Sequence, residues 1–198
     1  MRSIAIEGIP PRLFLFHGTG GDEHDLVPIA RMIAPHNAIR SYRGIIEESG
    51  MLRWFPRQGK NVFDVSEVRE HVARLMAGIR EDHTDAEIAD GMFIGYSNGA
   101  NAIGAMLQLG FPIRRAALLH PMLVIPDGRG IEAELFVSLG EADTMIEAHE
   151  SERLAAFFTD AGARVSVARF SGGHAISHAE IAALGEWFSR IRDRSDPR

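Results

Sequence analysis

The sequence contains no cysteine, which excludes a disulfide framework, a thiolate nucleophile and a metal site built on cysteine. Lysine is almost as scarce, because Lys60 is the single lysine among 21 lysine and arginine residues. The formal net charge is -6 and the isoelectric point is about 5.8. Such a chain lacks the clustered basic residues that a phosphate backbone requires, so no binding of nucleic acid is expected.

Long apolar runs are also lacking. No stretch approaches the roughly 20 residues that a membrane-spanning helix needs, and the first residues show no hydrophobic region of a signal peptide. We therefore expect no membrane insertion and a cytoplasmic location. The 198 residues, 45% hydrophobic and 24% charged, are typical of a single globular domain over 1–198 with a loose tail at about 193–198. The oligomeric state is open, with a homodimer as one alternative.

Short apolar runs alternate along the chain with segments of helical period. The six runs lie at 13–16, 38–41, 92–95, 116–119, 135–139 and 165–170. This alternation predicts an α/β fold, in which one mostly parallel sheet carries helices on both faces. The interval between the fourth and fifth runs is too short to hold a helical lid domain, so we expect an open site.

The segment Gly95-Tyr96-Ser97-Asn98-Gly99 directly follows the third apolar run. A strand that turns sharply into a helix through Gly-x-Ser-x-Gly holds its serine in a strained conformation with the hydroxyl projecting. A side chain at either glycine would collide with the neighbouring strand or helix at so tight a corner. The pentapeptide is short enough to arise by chance, so its context decides whether Ser97 is a nucleophile.

The context is a series of polar residues at the ends of the predicted strands. The carboxyl ends of parallel strands share one edge of a sheet, where ligands bind. Asp143 follows the fifth run and His174 the sixth, which gives the chain order Ser, Asp, His. His174 is the candidate general base for Ser97, and Asp143 the acid that orients its imidazole. The open alternatives are Asp143 as a helix cap with Glu141 as the acid, and His120, His149 or His178 as the base.

Backbone amides are the candidate donors to a negatively charged oxygen. The amide of Asn98 opens the helix after Ser97 and benefits from the dipole of that helix. A second donor is expected from the glycine-rich loop 18–21, where the amide of Thr19 is the first candidate. The loop lacks the Lys-Ser/Thr ending of a phosphate-binding loop and the spacing of a dinucleotide-binding loop.

Together, the segments 17–23 and 95–99, Asp143 and Gly173-His174 resemble the bacterial carboxylesterase/phospholipase family of α/β-hydrolases. The resemblance extends from about Leu13 to Phe188. It implies that Ser97, Asp143 and His174 form the catalytic triad and that the amides of Thr19 and Asn98 form the oxyanion hole. It also implies a lidless enzyme without a cofactor. Two departures are Asn98-Gly99-Ala100, where many relatives have Gln-Gly-Gly, and Met145-Ile146-Glu147, where many have Val-Pro after the acid.

Large side chains on the loops after the strands are candidates for a substrate pocket. They are Arg43, Trp54, Phe55, Met122 and Met145, and the alternative is that they cover the core. Arg43, Arg53 or Arg57 could contact a substrate anion, the alternative being ion pairs with Glu47 and Glu48. The acidic run 22–25 offers contiguous ligands of which at most two could converge, so no metal is expected.

The sequence therefore predicts a serine hydrolase that cleaves carboxylic esters or thioesters of small to medium acyl groups through an acyl-enzyme. A small-molecule substrate and no cofactor are expected. Two alternatives remain open at this point. The same triad could cleave an amide or a carbon-carbon bond, or the fold could be a ligand-binding relic without turnover.

Overall fold

The computed structural model describes residues 1–128 and 130–195 of the chain. Its strands are β1 Ser3–Ile6, β2 Ile9–Phe16, β3 Asn37–Tyr42, β4 Ile46–Glu48, β5 Met51–Arg53, β6 Met92–Tyr96, β7 Arg115–Leu119, β8 Glu134–Gly140 and β9 Arg164–Phe170. Its helices are α1 Val27–Ile33, α2 Val65–Arg80, α3 Asp85–Asp90, α4 Asn98–Gln108, α5 Ala148–Asp160 and α6 His178–Ser195.

Seven of these strands form one sheet in the order β1-β3-β2-β6-β7-β8-β9. Every neighbouring pair is parallel except β1 with β3. The six predicted runs correspond to β2, β3, β6, β7, β8 and β9, so the predicted α/β fold is confirmed. The antiparallel edge strand β1 and the separate β4–β5 hairpin were not predicted.

The sheet is covered on both faces because alternate side chains of each strand point to opposite sides. Phe14 and Phe16 pack in one core layer with the buried faces of α2, α4 and α5. Leu13 and Leu15, from the same strand, pack in the other layer against α1 and α6. The two layers enclose β6, β7 and β8 between helices, and Ser97, His120 and Asp143 follow the carboxyl ends of these three strands.

Capping residues fix where two of the helices begin. The Asp64 carboxylate accepts hydrogen bonds from the amides of Ser66 and Glu67 at the start of α2. At the start of α6, the Ser177 hydroxyl and the Glu180 carboxylate bond reciprocally to each other's backbone amides. Helix α6 continues to Ser195, and the remainder of the predicted loose tail, 196–198, lies outside the described residues.

The described residues between β7 and β8 contain no helix, in agreement with the prediction that no lid is inserted there. Across the described helices, none combines the length and the apolar character that crossing a membrane requires. In the described part of the chain, loops and the β4–β5 hairpin border the carboxyl edge of the sheet near Ser97.

Candidate active site

Ser97 lies at the sharp turn between β6 and α4 with φ 52° and ψ -116°. An L-residue adopts this conformation at a cost of about 1–3 kcal/mol, and such strain is retained where the surroundings enforce it. The glycines enforce it here: a Cβ on Gly99 would overlap the carbonyl oxygen of Phe16, and one on Gly95 would lie 2.7 Å from the carbonyl oxygen of Gly99. The tight corner thus presents the Ser97 hydroxyl above the sheet edge.

The structure brings Ser97, His174 and Asp143 together. Nε2 of His174 lies 3.0 Å from Oγ of Ser97, and Nδ1 of His174 lies 2.7 Å from Oδ2 of Asp143. The hydroxyl of Tyr96 donates to the carbonyl oxygen of His174 at 2.8 Å, so the strand that carries Ser97 also holds the loop that carries the imidazole. These partners assign the Nδ1 proton to His174 and leave Nε2 free to accept the proton of Ser97.

Asp143 is buried, and both of its carboxylate oxygens accept hydrogen bonds. Its Oδ1 accepts hydrogen bonds from the amides of Met145 at 2.8 Å and Ile146 at 3.0 Å. Burial raises the pKa of a carboxyl group, but the bonds from His174, Ile146 and Met145 outweigh it, and the pKa of Asp143 lies below its ordinary value. Asp143 is therefore a carboxylate when it faces His174.

A second imidazole, His120, bonds to the same carboxylate from behind. Its Nδ1 lies 3.0 Å from Oδ2 of Asp143, and its Nε2 lies 3.2 Å from Oε2 of Glu180. Ser138 donates to the other oxygen of Glu180. Although burial disfavours a charged imidazole, Glu180 and Asp143 together raise the pKa of His120 above its ordinary value. Both ring nitrogens of His120 thus face carboxylate oxygens, which only accept hydrogen bonds, so the geometry and the raised pKa both favour the protonated imidazole.

Sequence reasoning considered His120 only as an alternative base and missed its bonds to Asp143 and Glu180. The signal that could have found these bonds is the position of His120 at the end of β7, between the strands that precede Ser97 and Asp143. His120 also has a positive φ of 50°, an uncommon conformation for a residue other than glycine. It turns the imidazole into the interior, where its exposed fraction is 1%.

Thr19 and Asn98, whose backbone amides are the candidate donors, both line the space above Ser97. Among the described residues, neither amide has a hydrogen-bond partner. The loop 18–21 is held in place by the β4–β5 hairpin, because the amide of Gly20 donates to the carbonyl oxygen of Leu52 at 2.9 Å. The hairpin also reaches α4, since the amide of Trp54 donates to Oδ1 of Asn98 at 2.9 Å.

The His17 side chain connects the same loop to the segment after β3 through hydrogen bonds to backbone groups. Its Nδ1 lies 2.6 Å from the carbonyl oxygen of Gly18, and its Nε2 accepts from the amide of Gly44 at 2.8 Å. The indole of Trp54 donates to the carbonyl oxygen of His17 at 2.8 Å. Burial lowers the pKa of His17 below its ordinary value, so this imidazole is neutral and serves as a fixed donor and acceptor.

A cleft of about 410 Å³ lies over Ser97. Its walls include Met122 and Met145, two of the residues proposed for a substrate pocket, together with Arg53, Arg57, Phe63 and Ile146. Trp54 and Phe55, predicted for the pocket, are instead 0% exposed and pack in the core beneath it. Their rings turn inward because the hairpin, rather than an extended loop, sets the direction of the chain at this point.

Arg43 does not line the cleft either. Its guanidinium pairs with the buried Glu23 at 2.9 Å, and Arg2 approaches the other oxygen of the same carboxylate at 2.8 Å. Burial would raise the pKa of Glu23, but the Arg43 bond and the nearby charges lower it to about 2. Arg43 therefore anchors the 22–25 run, whose residues were considered for a metal, to the end of β3.

Apart from His120, the alternatives to the predicted acid and base are exposed side chains. Glu141 is exposed, and the cap of α5 is Glu147 rather than Asp143. His149 is exposed on α5 between Glu147 and Glu150, and His178 is exposed at the start of α6. Among the described residues, His120, Asp143 and His174 form a group whose donor atoms lie within 4.8 Å of one another, as a metal site would need. Their atoms are already bonded to each other and to Ser97.

Comparison with known proteins shows the family to which the chain belongs. No model of a protein family matches the chain. The chain is 35% identical over 184 residues, 89% of its length, to MhqD of Bacillus subtilis (strain 168), whose name includes the word hydrolase and of which 91% is covered. It is similar to the crystal structure of the Bacillus cereus carboxylesterase, with a TM-score of 0.89, 29% identity and coverage of 96% of this chain and 94% of that one.

A carboxylesterase from Mesorhizobium loti is also similar, with a TM-score of 0.83, 31% identity and coverage of 90% of this chain and 88% of that one. The fold and these similarities define the class of the protein, which is that of the carboxylic ester hydrolases. The chain belongs to the carboxylesterase/phospholipase-type family of the α/β-hydrolase superfamily.

Proposed function

We propose that this protein hydrolyses carboxylic esters or thioesters of small to medium acyl groups, with Ser97 as nucleophile, His174 as general base and Asp143 as the orienting acid. The observation that carries the proposal is the unbroken line of hydrogen bonds from Asp143 through His174 to Ser97, at 2.7 and 3.0 Å. The line ends on a serine whose strained turn projects it into the cleft.

In the first half of the reaction, the Ser97 oxygen attacks the acyl carbon while Nε2 of His174 takes the hydroxyl proton. The resulting imidazolium is stabilised by the Asp143 carboxylate and then protonates the departing alcohol or thiol. This leaves the acyl group esterified to Ser97. In the second half, water gives a proton to His174 and attacks the acyl carbon, which releases the carboxylic acid and restores the serine.

Negative charge develops on the former carbonyl oxygen during both halves. The amides of Thr19 and Asn98 border the cleft and have no other partner among the described residues, so they are the proposed donors to that oxygen. Asn98 also lies at the amino terminus of α4, where the helix dipole favours negative charge. Losing one such donor typically lowers kcat by about 10²- to 10³-fold.

The size and lining of the cleft support a small or medium acyl group. Its volume of about 410 Å³ is at the lower end of ordinary ligand sites. The apolar side chains of Phe63, Met122, Met145 and Ile146 line it, and alkyl or aryl groups gain from burial against such surfaces. The physiological substrate is proposed only at this level of chemical class.

The direct test is replacement of Ser97 by Ala, assayed with p-nitrophenyl acetate and butyrate. We expect kcat to fall by at least about 10⁴-fold, because the attacking oxygen is removed while the cleft is retained. Ser66→Ala, at an exposed serine of α2, is the matched control and should retain full activity. Turnover by the Ser97→Ala protein at the wild-type rate would refute the proposal.

Two further measurements separate the alternatives. A fluorophosphonate probe should label the wild-type protein and not the Ser97→Ala variant, whereas a ligand-binding relic would remain unlabelled in both. A panel of matched esters, thioesters and amides should show the highest kcat/KM for the esters or thioesters. A higher kcat/KM for the amides would show that the protein prefers to cleave an amide bond, with Ser97 still as the nucleophile. A chelator should leave every rate unchanged.

A further inference from the structure

We propose that Arg53 and Arg57 form a subsite for a carboxylate group of the substrate, so that the preferred esters carry a negative charge in addition to the bond that is cleaved. This inference rests on the proposed function and names the substrate class more closely. It is carried by the position, the burial and the incomplete pairing of the two guanidinium groups.

Arg53 lies at the end of β5, directly before Trp54, and its side chain lines the cleft that contains Ser97. Only 3% of its surface is exposed, so the guanidinium group is largely removed from water. Arg57 lines the same cleft from the following loop and is more accessible, with 39% of its side chain exposed. A buried cation normally requires a close anionic partner.

Among the described residues, the carboxylate of Glu48 is the one within ion-pair distance of these two cations. Nε of Arg53 lies 3.6 Å from Oε2 of Glu48, and Nε of Arg57 lies 3.4 Å from the same oxygen. Both distances are longer than those of charge-assisted hydrogen bonds. Of the described residues that line the cleft, none is acidic. Two positive charges therefore share one negative charge, and the wall of the cleft retains an excess of one positive charge.

The ends of both guanidinium groups are free to bind a ligand. The hydrogen bond that Arg53 makes is through Nε to the carbonyl oxygen of Phe55 at 3.4 Å. Within the described part of the chain, no residue accepts a hydrogen bond from Nη1 or Nη2 of Arg53 or Arg57. The paired terminal nitrogens of arginine match the two oxygens of a carboxylate. A substrate carboxylate would supply the partner that the protein lacks.

Two observations on neighbouring groups support this assignment. Burial and the charge of Arg57 lower the pKa of Arg53, and Glu48 opposes this shift only in part. This direction is expected for a buried cation that has too little negative charge near it. Arg43, by contrast, is held by Glu23 at 2.9 Å and by Asp22 at 3.8 Å. The protein thus neutralises an arginine outside the cleft and leaves the pair inside it under-neutralised.

The test compares esters that differ only in one charge, with the carboxylate placed on either side of the cleaved bond. For the acyl side the pair is monoethyl glutarate and its neutral amide analogue, ethyl glutaramate. For the leaving-group side the pair is 3-acetoxybenzoate and 3-acetoxybenzamide. In at least one pair, we expect kcat/KM of the wild-type protein to be about 10- to 100-fold higher for the anion, as one charged hydrogen-bonding contact provides. Equal values within both pairs would overturn the proposal.

Variants test whether the two arginines cause the preference for the anionic ester. Arg53→Gln and Arg57→Gln should each lower the anion-to-neutral ratio by about tenfold or more. Arg57→Gln changes an accessible side chain, so it provides the result even where Arg53→Gln fails to fold. Arg74→Gln, which removes an exposed cation of α2, is the matched charge control and should leave the ratio unchanged. A wild-type ratio in the Arg57→Gln protein, or an equal loss in Arg74→Gln, would contradict the subsite.

Failure of this inference is distinguishable from failure of the proposed function. If Ser97→Ala abolishes hydrolysis of both members of a pair, and the wild-type protein cleaves them at equal rates, the nucleophile stands and the subsite does not. If the Ser97→Ala protein retains hydrolysis of the neutral esters, the proposed function itself fails.

Discussion

The two sides of Ser97 are built on different principles. On the acid–base side, comprising Asp143, His174, His120 and Glu180, ionisable side chains bond to one another. On the amide side, comprising the loop 18–21, the β4–β5 hairpin, His17 and Trp54, neutral side chains bond to the backbone. The difference suits the two tasks, because moving a proton requires groups that titrate, whereas fixing amide dipoles requires groups that do not.

The contrast is sharpest between the two buried histidines. Both His17 and His120 directly follow a strand of the sheet, and both are 1% exposed. Among the described residues, the His17 imidazole has one carbonyl oxygen and one amide as hydrogen-bond partners, and burial lowers its pKa. His120 lies between Asp143 and Glu180, which raise its pKa despite the burial. Equal burial therefore accompanies pKa shifts in opposite directions, and the hydrogen-bond partners decide the direction.

The largest expected effect comes from breaking the acid–base side at Asp143. Asp143→Asn should lower kcat with p-nitrophenyl butyrate by about 10⁴-fold, because the amide no longer holds the Nδ1 proton of His174 in place. Steady-state kinetics at neutral pH measures the loss, and circular dichroism serves as the folding control. A decrease smaller than about tenfold would show that Asp143 does not orient the base.

The next effect is on stability, through the cation between the two carboxylates. His120→Gln leaves Asp143 and Glu180 without the buried positive charge, so we expect the free energy of unfolding to fall by about 3–5 kcal/mol. Urea unfolding at slightly acidic pH measures it. The control is His149→Gln, at a side chain that is 64% exposed, and it should change stability little. A similar effect of both variants would mean that the buried imidazole carries no stabilising charge.

A smaller loss of stability is expected from a substitution on the amide side. Asn98→Ala removes the oxygen that accepts from the Trp54 amide, so a buried backbone N–H is left without a partner. The free energy of unfolding should fall by about 1–3 kcal/mol, measured in the same urea experiment. Asn98 keeps its own backbone amide after this change. An accompanying decrease in kcat would therefore report displacement of the hairpin rather than loss of a donor.

The smallest expected effect is a difference in pH dependence between the two histidines. The raised pKa of His120 gives a contribution to stability that is full below the ordinary value of 6.5 and is lost as pH rises through the raised value. The lowered pKa of His17 gives a contribution that is full above 6.5 and is lost as pH falls through the lowered value. Thermal unfolding of His120→Gln and His17→Asn across this range should flatten opposite limbs of the wild-type profile. Flattening of the same limb in both variants would contradict the assigned charges.

The acid–base side was largely predictable from the sequence. Ser97, Asp143 and His174 each follow an apolar run, and parallel strands bring such positions to one edge whatever the details of packing. The hydrogen bonds that run from Asp143 through His120 to Glu180 were not predicted. Glu180 is separated from His120 by 60 residues, so no local sequence pattern links the two side chains.

The amide side was harder to predict because tertiary contacts determine it. The short strands of the hairpin, Ile46–Glu48 and Met51–Arg53, are below the length at which alternation of apolar residues is informative. Without the hairpin, Trp54 and Phe55 resembled exposed loop residues suited to a pocket, whereas they fill the core. For the same reason, Arg53 could not be distinguished from Arg43 as a contact for an anion.

The bond between Gly20 and Leu52 limits how the substrate range of this protein can change during evolution. Arg53, in the proposed subsite, is one residue away from the carbonyl oxygen that positions the loop bearing Thr19. An insertion or deletion in the hairpin would shift that carbonyl oxygen and the loop with it. We therefore expect new specificities to be gained by exchanging side chains on a hairpin of constant length.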